Sequence, residues 1–64
     1  MTIRVTWNRS DGTKPVVDMA VNANDPHKDD QELQFAKAIA AAGVHFNQKF
    51  GEYPATGQLK AMLV

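Results

Sequence analysis

The sequence predicts an α+β fold in which a β-hairpin packs on one long amphipathic helix (ββα), followed by a short C-terminal helix or third strand. Three observations carry this. Two short segments alternate apolar and polar residues on either side of a glycine-containing turn. A longer segment then repeats apolar residues at the helical period, between an Asp25-Pro26 opening and Gly51. With 64 residues and no cysteine, the chain has length for one small core and no disulfide or thiolate metal site to supplement it, so residues 1–64 are expected to form a single domain.

In the first segment Ile3, Val5 and Trp7 alternate with Thr2, Arg4 and Thr6, the pattern of a strand with one face on a core and one in water. Val17, Met19 and Val21 repeat the pattern against Asp18, Ala20 and Asn22. Between them, Ser10-Asp11-Gly12 fits a three-residue hairpin loop, a type I turn followed by glycine in the left-handed region. That loop pairs Arg9 with Thr13, Trp7 with Pro15, Val5 with Val17 and Ile3 with Met19, so inward residues face inward residues. A two-residue turn would set Val5 against Asp18, which the pleat disfavours.

Asp25 is placed to cap the helix, with Pro26 at its first position, where a missing N–H costs nothing. Asp29, Asp30 and Glu32 then fall in the opening turns, favoured there by the helix dipole. Phe35, Ala36, Ile39, Ala42, Gly43, Phe46 and Phe50 share one face, while Gln34, Lys37, His45 and Gln48 point away. Gly43 within the apolar stripe reads as a point of close approach to the sheet, and Gly51 as the C-terminal cap. For the tail, Leu, Lys, Ala and Met favour a short helix capped by Thr56, with Leu59, Met62 and Leu63 inward. The alternative is a third strand from Gly57 to Val64, which a marginal two-stranded ribbon would benefit from. Propensity tips the reading to the helix.

Seven basic and seven acidic residues balance, so no global basic field exists to hold a nucleic acid. The charges are segregated, however. Residues 1–14 carry Arg4, Arg9 and Lys14 against Asp11, and residues 15–32 carry Asp18, Asp25, Asp29, Asp30 and Glu32 against Lys28. The longest mainly apolar run, Ala36 to Val44, contains Lys37 and falls well short of the roughly 20 residues of a membrane span. The N-terminus lacks a signal-peptide pattern, so a cytoplasmic location is expected.

Catalytic and metal motifs are absent at recognisable spacing. His27 and His45 are the only histidines, and the acids near Asn22 and Asn24 do not follow a calcium-loop pattern. Ser10, the only serine, is assigned to a tight turn without a neighbouring base. The four glycines are scattered and form no phosphate cradle. Hence no enzyme activity, no metal and no cofactor are expected. Two charged groups remain as candidate sites. Asp25, Asp29, Asp30 and Glu32 would form an anionic patch suited to a basic groove, since complementary charge steers association. Arg4, Arg9 and Lys14 on the hairpin give the alternative, a small DNA-binding regulator whose ribbon enters a major groove.

In its small size, lack of cysteine, hairpin-plus-helix architecture and acidic patch, the chain resembles the small phage-encoded inhibitors, anti-CRISPR proteins among them, over its whole length and without a shared motif. The resemblance implies a non-enzymatic protein that docks on a larger host protein or ribonucleoprotein complex, such as a CRISPR effector, and blocks its nucleic-acid site in the host cytoplasm. A monomer or a homodimer would serve. A structural assembly subunit is a further alternative.

Overall fold

A computed structural model describes residues 1–64. Its elements are β1 (Thr2–Trp7), β2 (Val16–Ala20), α1 (Gln31–Phe50), a short 3-10 turn (Thr56–Gln58) and β3 (Leu59–Leu63). The three strands form one antiparallel sheet in the order β2-β1-β3, with β1 at its centre.

The hairpin has the register that its turn implies. Val5 faces Val17 and Ile3 faces Met19, and the ladder continues past the strands through Trp7 N–H to Pro15 C=O at 2.9 Å and Arg9 N–H to Thr13 C=O at 3.1 Å. Gly12 donates to Arg9 C=O at 3.1 Å and takes a φ of +89°, so the type I turn closes on a left-handed glycine. Asp11 stiffens the loop, because its Oδ1 accepts from both Thr13 N–H at 2.9 Å and Thr13 Oγ1–H at 2.6 Å.

The C-terminal segment is a strand, which overturns the preference for a helix. β3 pairs with the second edge of β1, Trp7 facing Leu59, Val5 facing Ala61 and Ile3 facing Leu63. Without it, the N–H and C=O groups of Thr2, Arg4 and Thr6 would lack ladder partners, and satisfying a row of backbone groups outweighs the few tenths of a kcal/mol per residue by which propensity favours a helix. The junction is pinned by Trp7 Nε1–H, which donates to Gln58 Oε1 at 3.0 Å, and that oxygen also accepts from Ala55 N–H at 3.2 Å.

The helix begins at Gln31 rather than Pro26. Asp30 is the N-cap, its Oδ1 accepting from Leu33 N–H at 3.1 Å. Asp25 is committed elsewhere: its Oδ1 accepts from His27 N–H at 2.8 Å, and Lys28 N–H bonds Asp25 C=O at 3.1 Å. Asn22 makes the same local turn toward Asn24 N–H at 2.9 Å. Short Asx side chains that bond their own backbone compete with helix, so this Asx-rich stretch runs as successive turns until Asp30. At the other end Gly51, with φ +80°, donates to Asn47 C=O at 2.8 Å and closes the helix as the sequence predicts.

The buried side of α1 is rotated from the predicted one. Gln34, Ala38, Ala42 and Phe46, spaced four apart, are buried, with Gly43 beside them. The helical period places Gln34 in solvent and Ala36 on the core, whereas Gln34 is 5% exposed and Ala36 lies on the surface. The helix meets the sheet through Ala38 and Ala42, whose small side chains let it sit close to Ile3 and Val5. Gly43 is therefore not the point of closest approach, and a methyl group built there meets no atom within 4 Å. Trp7 closes the far end of the core, its ring 5.4 Å from Phe46 and 5.6 Å from Phe50.

Candidate functional site

The four acids of the predicted patch separate into three roles. Asp25 turns inward: its Oδ2 accepts from Lys37 Nζ at 2.7 Å and from Gln34 Nε2 at 3.2 Å, and its side chain is only 12% exposed. Gln34 Nε2 also donates to His27 C=O at 2.9 Å, so the buried amide ties the turn segment to the helix. The Lys37 ammonium, followed by the His27 and Gln34 donors, holds the Asp25 carboxyl well below the usual carboxylate range. Asp25 is thus a structural anchor and leaves the candidate patch. Asp30 caps α1 with one carboxylate oxygen. Asp29 and Glu32 are exposed and make no ion pair, with Lys28 the nearest cation along the chain. The anionic surface is accordingly Asp29, Asp30 and Glu32 at the opening of α1, beside the exposed amides of the first helical turn.

The basic residues do not gather into one surface. Arg4 lies on the sheet face away from the helix and makes a bidentate contact with Asp18 on the facing strand, at 2.9 and 3.2 Å. That contact raises the Arg4 guanidinium's affinity for its proton and lowers the Asp18 carboxyl. Arg9 lies on the opposite side. Its guanidinium sits 4.7 Å from the ring centres of both Trp7 and Phe50 and bonds Glu52 at 3.0 Å, with Asp11 at 3.4 Å. Lys14, beyond the strand, is exposed and unpaired. Of the three cations proposed for nucleic acid, two are matched by carboxylates and turned to opposite faces.

Sequence reasoning missed the Arg9 stack and the Asp25–Lys37–Gln34 network. The first was accessible, since Arg9 shares the parity of Val5 and Trp7 and so falls on the helix side of the ribbon. The second depends on the late start of α1 and leaves no local signal. A groove of about 290 Å3 lies between β2 and α1, floored by Ile3, Met19 and Ala38, with the Asp25–Lys37 pair at its rim. No three His, Asp or Glu side chains converge at metal-ligating distance. No helix is long and apolar enough to cross a membrane. No family model, curated protein or solved structure matches this chain.

Proposed function

We propose that this chain is a non-enzymatic binding protein that inhibits a larger protein or ribonucleoprotein by docking the acidic opening of α1 into a basic groove. The observation that carries the reading is the contrast in pairing. Asp29 and Glu32 project without partners next to the capping Asp30, whereas Arg4 and Arg9 are each neutralised in place. Carboxylates held at a helix opening can occupy sites that a basic groove otherwise offers to phosphates. Under the resemblance to phage-encoded inhibitors, the groove belongs to a nucleic-acid-handling complex of the host, such as a CRISPR effector.

The test is affinity capture from host lysate with three immobilised proteins: the parent, Asp29→Lys/Glu32→Lys, and Arg4→Glu/Arg9→Glu. Asp30 is spared because its replacement would uncap the helix. The reading expects one retained partner that survives the arginine reversal and is lost with the acidic reversal, the parent complex weakening modestly with added salt. Retention by the folded acidic-reversal protein refutes it. Salt-sensitive binding of a DNA duplex, lost with the arginine reversal, would favour the DNA-binding regulator instead.

A further inference from the structure

We infer that two copies of this chain associate edge to edge through β3, forming a continuous six-stranded sheet; the proposal is independent of the acidic docking surface. β3 is an edge strand whose inner side is used by β1. Asn8 N–H bonds Gln58 C=O and Val64 N–H bonds Thr2 C=O, so by the period of two the residues that point their backbone groups toward β1 are Lys60 and Met62. The N–H and C=O groups of Leu59, Ala61 and Leu63 therefore face outward. The same corner gathers large apolar side chains in solvent: Met62 is 49%, Leu63 43%, Val64 58% and Met1 53% exposed. An edge of this kind is a template for another strand.

A second copy fits this edge better than an unrelated strand because β3 is self-complementary in one register. An antiparallel pairing with its two-fold axis at Ala61 sets Leu59 against Leu63 of the other copy, Lys60 against Met62, and Ala61 against itself. All five residues overlap, about six backbone hydrogen bonds form, and no like charges oppose. Sliding by two residues toward the N-terminus sets Lys60 against Lys60, and sliding the other way strands Leu59. Lys60, the only charge in β3, thus selects the register. On the helix side, Leu59 and the exposed Leu63 would form an apolar seam between the copies. On the opposite edge, β2, the equivalent two-fold pairing about the central residue would set Asp18 against Asp18 of the other copy, a like-charge contact that disfavours it.

Sedimentation equilibrium over a micromolar-to-millimolar series tests this with the parent, Ala61→Pro, Met62→Glu and Met62→Lys. The parent should show a reversible species at twice the 7.0 kDa of one chain. Ala61→Pro removes an outward N–H and should be monomeric throughout. Met62→Glu places a carboxylate against Lys60 of the other copy, twice per dimer, and Met62→Lys places a like charge there. The first should dissociate at roughly tenfold lower concentration than the second. Circular dichroism melts verify that each variant is folded, and if Ala61→Pro is not, the two Met62 variants decide. A parent that stays at 7.0 kDa at millimolar concentration overturns the proposal. So does a dimer that survives in folded Ala61→Pro, or one indifferent to the charge at position 62.

Discussion

Gly43→Ala is a substitution whose sign the structure decides. From the sequence, a glycine inside the apolar stripe implies close contact with the sheet and predicts that a large side chain such as leucine there destabilises by overpacking. In the structure Gly43 is buried in the interior of α1, yet a Cβ placed on it meets no atom within 4 Å. The helical backbone there suits alanine, so the variant gains about 1 kcal/mol of helix propensity, part of it through a less flexible unfolded chain. With an unfolding entropy of about 2.1 cal/mol/K per residue, a chain of this length converts 1 kcal/mol into a rise of about 7 °C in Tm. Circular dichroism melts at 222 nm, with urea titrations giving the free energy, would measure both. A Tm equal to or below the parent's would show that the helix lies closer to the sheet at Gly43 than described, and would refute the packing through Ala38 and Ala42.

Three further outcomes follow from the same geometry. Trp7→Ala should remove about 3–5 kcal/mol, comparable to the whole stability expected of so small a chain at about 0.05–0.15 kcal/mol per residue, and leave no cooperative melt. A transition within a few degrees of the parent's would contradict the core. Trp7→Phe keeps a ring against Phe46 and Phe50 but loses the donor to Gln58, so it should cost less than the alanine variant and raise amide exchange of β3 in NMR spectra. Equal exchange would show that the Trp7–Gln58 bond does not secure the strand. The third concerns acid. The Thr13 hydroxyl, the Arg4 guanidinium and the Lys37 ammonium hold the carboxyls of Asp11, Asp18 and Asp25, respectively, below their ordinary range. Groups whose folded pKa is lowered contribute fully above the unfolded value near about 4 and lose that contribution as pH falls through the folded value. Tm should therefore drop as pH is lowered below about 4, and more shallowly in Asp25→Asn; identical pH profiles of the two proteins would remove Asp25 from the account.

The hairpin was fully legible in the sequence because its information is local. Period-2 alternation set the faces, and Gly12 after Ser10-Asp11 set the register, leaving nothing for distant residues to decide. Gly51 was legible for the same reason. The start of α1 was not, because Asp25 and Asp30 are equally good caps in isolation and the choice depends on Asp25 being engaged by Lys37 and Gln34 from the helix that follows. β3 was obscured by its composition: Leu59-Lys60-Ala61-Met62-Leu63 favours helix locally and becomes a strand because β1 has a second edge to fill. The candidate site was half legible. Segregation of acids from bases is visible along the chain, but which charges are already neutralised in the fold is not, and that removes Asp25 from the anionic patch and separates Arg4 from Arg9.

Hydrogen exchange of the chain with and without its captured partner tests the functional claim most directly. Free, the amides of residues 28–33 lie in the turn before the helix and in its first positions, where few are protected by backbone bonds. On complex formation the account predicts new protection over residues 28–33, with the sheet face that bears Arg4 and Asp18 unchanged. Protection confined to that sheet face, with residues 28–33 exchanging as in the free chain, would contradict it.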